Sequence, residues 1–200
     1  MEATLRERKK AQTRSALWNA AIELFVQHGF DNVSVAQIAA AADVSKMTFF
    51  NYFPSKEDLV VGPMSEHVGE PALVVRHREP GEPPVRALRR LFLNGLAQRD
   101  PNTGLCDNPN ILAVLRLVYE TPSLLHRAYA VLAGTEQALA AELGPDFRHR
   151  AQAAMIIGVR HALVSENTRR LLAGATADAL YPAAVHDANE AFDLLESGLH

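Results

Sequence analysis

The chain has 200 residues, of which 48% are hydrophobic and 22% charged, and its formal net charge is −3. These proportions are ordinary for a folded globular protein and exclude disorder as its main state, while the single cysteine, Cys106, excludes an internal disulfide framework and a multi-cysteine zinc site. The N-terminus is polar and the apolar runs are too short to span a bilayer, so we expect a cytoplasmic protein with no membrane partner.

The charges are unevenly distributed along the chain. Residues 1–62 contain seven basic and seven acidic residues, whereas residues 63–200 contain 13 basic and 16 acidic residues. Five basic residues and one acidic residue fall within residues 6–14. Such a cluster is most often a solvated helix end, and the alternative is an arm that contacts phosphates.

The first predicted element is an amphipathic helix over residues 4–28. Its apolar residues, among them Leu17, Ala21 and Phe25, recur at spacings of three and four. Gly29 follows directly, in the position of a helix C-cap.

Three further helix starts follow within about 25 residues. Ser34, with Gln37 three residues later, forms a capping box before a short alanine-rich helix. Ser45 is a good N-cap for a third helix over residues 46–53, and Ser55 opens a fourth. Starts this closely spaced predict a helix-turn-helix rather than a bundle of long helices.

The rest of the chain predicts longer helices. Gly62-Pro63 is expected to kink or break the fourth helix and to join two domains, residues 1–62 and residues 63–200. Further helices are predicted over residues 85–99, 110–120, 122–143, 147–173 and 178–195. Because no strand-like alternation of useful length occurs, the chain is predicted to be all-α with about nine helices.

Three blocks in the first domain carry a resemblance to a known family. They are TRSALWNAAIELFVQHGF at 13–30, VSVAQIAAAADVS at 33–45 and TFFNYFPSKEDL at 48–59. In order and spacing they resemble the DNA-binding domain of the tetracycline-repressor (TetR) family. Asp43 stands where members usually have glycine, and it tolerates the left-handed conformation that this turn needs. Phe50 stands where many members have a tyrosine that reaches a phosphate, so Tyr52 is the alternative source of a hydroxyl.

The resemblance implies a sequence-specific DNA-binding regulator whose third helix enters the major groove. Lys46 would bind guanine or a phosphate, Met47 would contact a thymine methyl, and Ser34 and Lys56 would clamp backbone phosphates. At least two of the phenylalanines in and after the third helix are expected to be core residues. The residues expected to contact double-stranded DNA are Thr13, Arg14, Ser34, Ser45, Lys46, Met47, Thr48, Phe49, Asn51, Tyr52 and Lys56.

The resemblance also implies a homodimer on a palindromic operator and a small-molecule effector held in the second domain. The dimer surface is expected to use the small residues of the last two helices, Ala151, Ala154, Gly158, Ala162, Ala184, Ala188 and Ala191. The effector is expected to be lipophilic. Residues that would line its pocket, with plain core packing as the alternative, are Phe92, Leu96, Leu115, Tyr119, Tyr129, Met155 and Val159.

The function predicted from these features is a repressor that its ligand releases from DNA. A transcriptional activator and a helical ligand-binding module with a vestigial DNA-binding part are the alternatives. No enzyme is expected, because the chain has no His-Glu-x-x-His spacing, no Gly-x-Ser-x-Gly elbow and no phosphate-binding glycine loop. For the same reasons we expect neither a metal nor a cofactor.

Overall fold

The computed structural model describes residues 4–198, and within that range the chain forms ten α-helices and one 3₁₀ helix, with no strand. The predicted all-α fold class is confirmed. The chain divides into two compact units: the first contains residues up to Pro63 together with Ala113–Ala128, and the second contains Met64–Leu112 and the chain from Tyr129 onward. The assignment of functions to residues 1–62 and 63–200 stays a prediction.

Four helices build most of the first unit. They are α1 (Leu5–His28), α2 (Val35–Ala41), α3 (Lys46–Tyr52) and α4 (Lys56–Ser65). α1 ends at Gly29, whose φ of 80° is in the left-handed region and whose N–H donates to the Phe25 carbonyl.

Side-chain caps set the starts of the two short helices. The Ser34 hydroxyl accepts from the Gln37 N–H at 3.3 Å and the Gln37 side chain accepts from the Ser34 N–H at 2.9 Å, which confirms the capping box before α2. The Ser45 hydroxyl accepts from the Thr48 N–H at 3.0 Å at the start of α3. Between the two helices Asp43 has a φ of 53°, so it adopts the left-handed conformation predicted for this turn.

α4 differs from the sequence prediction at Gly62-Pro63. The helix is not broken there, because Pro63 lies inside α4 and the helix continues to Ser65. Proline removes one backbone donor, and so close to the end of the helix this affects only the last turn.

The core of the first unit is small and largely aliphatic and aromatic. The fourth helix contributes Leu59, Val60 and Val61, all buried. An ion pair joins Asp58 of α4 to Arg127, which lies in the stretch 113–128 of the same unit. The other buried apolar side chains of α1 to α3 and their loops are Leu17, Ala21, Ile22, Phe25, Phe30, Val33, Ile38, Ala39, Phe49 and Phe53.

The remaining elements are five helices that follow the predicted ranges within three residues, together with a short helix and a 3₁₀ helix, which were not predicted. They are α5 (Glu70–Arg76), α6 (Pro84–Gln98), the 3₁₀ helix (Pro101–Thr103), α7 (Pro109–Glu120), α8 (Pro122–Leu143), α9 (Phe147–Leu172) and α10 (Ala177–Gly198). The sequence did not predict α5, because its seven residues are too few to show a helical period and, unlike α2 and α3, it has no side-chain cap at its start.

The core of the second unit lies where α6, α9 and α10 pack together. Phe92 of α6 and Phe192 of α10 have ring centroids 6.1 Å apart and are both buried. The loop after α6 approaches α9 closely at Gly104, where φ is 71° and a Cβ would lie 2.3 Å from the Val164 carbonyl oxygen. Asn167 of α9 fastens this loop by donating to the Thr103 carbonyl at 2.9 Å.

None of the helices formed by residues 4–198 combines the length and hydrophobicity needed to cross a bilayer. Over the same residues, no group of three or more His, Cys, Asp or Glu side chains is placed to hold a metal ion. Cys106 is half-buried and forms no disulfide.

Candidate nucleic-acid interface

α3 has one buried face and one exposed face. Phe49 is fully buried, and Phe53, which follows the helix, is buried beside it with ring centroids 5.8 Å apart. On the opposite side Lys46 and Asn51 are exposed, and Met47 has 72% of its surface accessible. Because a helix turns about 100° per residue, positions 46, 47, 50 and 51 share this exposed side.

Phe49 and Phe50 are neighbours in the sequence with opposite environments. The prediction that Phe49 contacts DNA is wrong, because none of its surface is exposed and the ring packs in the core. Phe50, by contrast, is 45% exposed, and the Lys46 ammonium lies 6.0 Å from its ring centroid. The sequence did not place Phe50 among the DNA contacts. Helical geometry gave only a partial signal: consecutive side chains lie about 100° apart, so when Phe49 faces the core, Phe50 turns toward the side of Lys46 and Met47.

The hydroxyls at the two helix starts are exposed but already hydrogen-bonded within the chain. The Ser34 hydroxyl donates to Gln37 Oε1 at 2.7 Å, and the Ser45 and Thr48 hydroxyl oxygens lie 2.8 Å apart. These residues therefore cap α2 and α3 in the free protein. Their predicted contacts with phosphates remain predictions.

Lys56 holds the loop between α1 and α2 against the start of α4. Its Nζ donates to the Phe30 carbonyl at 2.8 Å and to the Val33 carbonyl at 3.3 Å, and it lies 4.2 Å from the Phe30 ring centroid. An ammonium group has three donors, so one of them is left for an external acceptor. Lys56 thus has a structural role that the sequence did not reveal, while its contact with a phosphate stays a prediction.

The remaining predicted contacts lie on α1 and at the end of α3. The Thr13 hydroxyl donates to the Lys9 carbonyl at 3.1 Å, and the Arg14 guanidinium lies 5.5 Å from the Phe53 ring centroid. Tyr52 is half-buried. The structure thus places Arg14 beside the end of α3.

An open groove of about 430 Å³ runs between the starts of α2 and α4, with Phe50 as one wall. It carries both signs of charge, because Lys56 lies there with Asp31 and Glu57. A groove of mixed charge does not select phosphate by charge alone. Its lining residues are Asp31, Asn32, Val33, Ser34, Val35, Phe50, Pro54, Ser55, Lys56 and Glu57.

The residues predicted to line a ligand pocket lie in both units. In the second unit Phe92 and Leu96 are buried and Val159 packs against their core cluster. Met155 and Tyr129 of the same unit are exposed, and Tyr129 meets His161 edge-on with ring centroids 5.8 Å apart. Leu115 is half-buried and Tyr119 exposed, and both belong to the first unit. The pocket stays a prediction.

The small residues of the last two helices divide into two groups. Ala184 and Ala188 of α10 are buried inside the second unit, so their predicted place on a dimer surface is wrong. Ala154, Gly158 and Ala162 of α9 are exposed. Ala151 and Ala191 are half-buried.

Two short capped helices, a left-handed turn between them and an outward-facing α3 define a helix-turn-helix protein. Residues 17–61 match the family described as "Bacterial regulatory proteins, tetR family". This match confirms the resemblance over residues 17–61.

Individual relatives agree with this assignment. The HTH-type transcriptional regulator TcmR of Streptomyces glaucescens is 38% identical over 123 residues, which cover 60% of this chain and 54% of TcmR. The match thus spans about half of that relative's length. The relatives of the chain in this family are transcriptional regulators rather than enzymes.

Solved structures share the fold at low sequence identity. NalD of Pseudomonas aeruginosa, the secondary repressor of the MexAB-OprM multidrug efflux pump, has a TM-score of 0.60 and 19% identity over 90% of this chain and 97% of NalD. FadR of Bacillus subtilis, solved in complex with stearoyl-CoA, has a TM-score of 0.54 and 20% identity over 93% of this chain and 99% of FadR.

Proposed function

We propose that the chain is a sequence-specific DNA-binding regulator of transcription and that α3 reads the major groove. The observation that carries this proposal is the two-sided packing of α3. Phe49 anchors the helix in the core, and Lys46, Met47 and Asn51 stand on the exposed side. These side chains suit base edges, because lysine donates to guanine, asparagine pairs with adenine and an apolar group contacts the thymine methyl.

The functional unit in this proposal is a homodimer on a palindromic operator. A helix of seven residues reaches only a few base pairs, so two copies about 34–36 Å apart are needed for selectivity. The exposed small residues of α9 suit close helix packing between copies. Sedimentation of the free protein is expected to show a dimer, and a monomer at micromolar concentration would contradict this part.

The proposal also includes a small lipophilic effector that lowers the affinity for DNA, so that the regulator acts as a repressor. The apolar side chains Phe92, Leu96 and Val159 support a lipophilic ligand, and the fold neighbours include one protein solved with stearoyl-CoA and one described as a repressor. A ligand of this kind acts by binding one conformation of the dimer more tightly than the other.

Selective capture of DNA tests the proposal and identifies the operator in the same experiment. The tagged chain is incubated with sheared DNA from its own genome, and the retained fragments are sequenced. Fragments sharing an inverted repeat with half-sites about one helical turn apart are the expected result. The matched control is the chain with Lys46→Ala and Asn51→Ala, which keeps the core of α3 and is expected to lose the enrichment.

Two further outcomes separate the alternatives. Fragments retained at random, together with no salt-sensitive binding to duplex DNA in fluorescence anisotropy, would favour a ligand-binding module with a vestigial DNA-binding part. If a promoter is captured, transcription from it in vitro distinguishes the two modes of regulation. A repressor lowers transcript yield when the chain is added, and an activator raises it.

A further inference from the structure

α1 extends beyond the first unit at its N-terminal end. Every residue from Thr4 to Gln12 is exposed, and the first fully buried side chain of α1 is Leu17. At 1.5 Å per residue, residue 6 lies about 16 Å along the helix from Leu17. We call residues 4–12 the N-terminal extension; it also lies outside the stretch that matches the family.

The extension is a well-capped helix end and not a frayed one. The Thr4 hydroxyl accepts from the Glu7 N–H at 3.3 Å, while the Glu7 carboxylate accepts from the Thr4 N–H at 2.7 Å and from the Thr4 hydroxyl at 2.9 Å. These hydrogen bonds, that to the backbone N–H first, lower the pKa of Glu7, so its charge remains on the capping carboxylate. The one acidic group of the extension is therefore engaged in holding the helix start.

Four cations remain, and helical periodicity sorts them into two sides. Arg6, Lys9 and Lys10 stand at positions i, i+3 and i+4 and share a side of α1. Arg8 lies about 200° away from Arg6. Within residues 4–198 no carboxylate forms an ion pair with any of these four side chains. We call Arg6, Lys9 and Lys10 the basic stripe.

Arg6 and Lys10 of the basic stripe lie toward one edge of the side of α1 that packs in the first unit, and Lys9 lies about 60° from Arg6, further from that side. Leu17, eleven residues after Arg6, lies within about 20° of it around the helix axis and is completely buried. Arg14, at the near end of the stripe, lies beside Phe53 at the end of α3. Arg6 and Lys10 thus extend, beyond the core, the edge of the packed side on which Leu17 lies.

We propose that the basic stripe binds the phosphate backbone of duplex DNA next to the site that α3 reads. This inference rests on the proposed function. It favours the phosphate-contacting alternative for the basic cluster of residues 6–14 and assigns the contacts to three side chains that lie before the predicted set, which begins at Thr13. Cations on an exposed helix that form no ion pair with residues 4–198 are suited to phosphates, because no ion pair among those residues has to be broken first. An anionic membrane is a poorer fit, because Leu5 is the only large apolar side chain of the extension.

Charge removal within the full chain tests the inference. The triple variant Arg6→Gln, Lys9→Gln and Lys10→Gln is compared with Arg86→Gln, Arg148→Gln and Arg150→Gln, which removes the same charge from exposed positions of the second unit. Binding to a mixed-sequence duplex of about 40 base pairs is measured by fluorescence anisotropy between about 50 and 300 mM salt. Circular dichroism verifies that both variants keep the helix content of the parent.

The basic-stripe variant is expected to bind the duplex about 10- to 100-fold more weakly than the parent at about 150 mM salt. The slope of its log K against log salt concentration is expected to be smaller in magnitude by about two to three. The second-unit variant is expected to match the parent. A single Arg6→Gln change is expected to weaken binding more than Arg8→Gln, because Arg6 lies on the stripe next to the packed side and Arg8 lies about 200° away.

Three results would overturn the inference. If the parent binds the duplex and the basic-stripe variant has the same affinity and slope, the extension makes no phosphate contact and the proposed function still stands. Equal losses in both triple variants would show a general effect of net charge. If the parent binds phosphatidylglycerol vesicles more tightly than the basic-stripe variant does, and both bind the duplex with the same affinity, the partner of the extension is a membrane. A parent that binds no duplex at all would refute the proposed function itself.

Discussion

The two units of this chain use their basic residues in different ways. In the second unit seven arginines form ion pairs with carboxylates of the same unit. In the first unit Lys46 lies over Phe50, Arg14 over Phe53 and Lys56 over Phe30. The arginines paired in the second unit are Arg76, Arg86, Arg89, Arg90, Arg99, Arg169 and Arg170.

This difference separates cations whose charge a carboxylate neutralises from cations, such as Lys46, whose charge remains available to a partner. A carboxylate within about 4 Å cancels most of the field that an arginine projects into solvent. An aromatic ring positions a cation and leaves its charge in place. The net charge of −3 hides the distinction, because the two units differ in how their cations are partnered more than in how many they carry.

The largest expected effect comes from breaking the support under the exposed face of α3. Phe49→Ala deletes a fully buried ring and is expected to lower the free energy of unfolding by about 3–5 kcal/mol. Phe50→Ala, one residue further along, is expected to change it by less than about 1 kcal/mol, because the ring is half exposed. Urea denaturation followed by far-ultraviolet circular dichroism measures both. Equal losses would show that the two faces of α3 have been assigned incorrectly.

The two lysines that flank this surface test the comparison inside the first unit. Lys56→Ala removes two hydrogen bonds to backbone carbonyls and a contact with the Phe30 ring, so a loss of about 1–2 kcal/mol in unfolding free energy is expected. Lys46→Ala removes an exposed side chain and is expected to leave stability within about 0.5 kcal/mol. Both variants are compared by chemical denaturation, and anisotropy on a captured operator then shows which one loses affinity at unchanged stability.

Most of the fold could be predicted because its signals are local. Capping serines, a proline stop and glycine C-caps lie within a few residues of the helix ends that they define, so Ser34 and Ser45 could be assigned from the sequence. The prediction that α4 breaks at Gly62-Pro63 was wrong for a related reason. The sequence shows the missing donor of Pro63 but not that α4 ends two residues later.

The site could be predicted only in part, because burial depends on residues distant in the sequence. The motif placed Lys46, Met47 and Asn51 in a recognition helix, and they lie on its exposed face. Whether Phe49 or Phe50 faces the core depends on where the neighbouring helices of the unit pack against α3. The structural role of Lys56 could not be predicted from the sequence either, because the carbonyls to which it donates lie 23 and 26 residues away in the chain.

Arg160 is among the second-unit arginines that form none of these ion pairs. Its Nε is buried and has no hydrogen-bond partner in the part of the chain that the structure describes. Burial lowers the pKa of Arg160. The negative charges of Glu70 and Asp100 raise that pKa by a smaller amount. Arg160→Met is expected to raise the free energy of unfolding by about 1 kcal/mol, because a half-buried guanidinium whose Nε has no partner among the described residues is replaced by an apolar side chain. Thermal denaturation with Arg148→Met, an exposed arginine, as control measures the change, and a destabilised Arg160→Met would show that Arg160 is effectively paired.

The smallest expected effect concerns the ion pairs of Arg169 and Arg170 with Glu166, and it is measured by changing the pH. Glu166 accepts hydrogen bonds from Arg169 and Arg170, and these lower the pKa of its carboxyl from 4.5 to about 2. Because the folded-state pKa is the lower one, the ionised pair stabilises the fold above about pH 4.5, and this contribution is lost as the pH falls toward 2.

Glu166→Gln is therefore expected to have a slightly lower Tm than the parent at about pH 7, and the difference is expected to shrink between pH 4.5 and pH 2. Glu136→Gln removes the same charge from α8 without removing one of the ion pairs described above and serves as control. A difference in Tm that stays constant down to about pH 2 would mean that packing of the side chain, and not its charge, joins Glu166 to the two arginines. In that case Arg169 could not be counted among the arginines whose charge is neutralised by an ion pair.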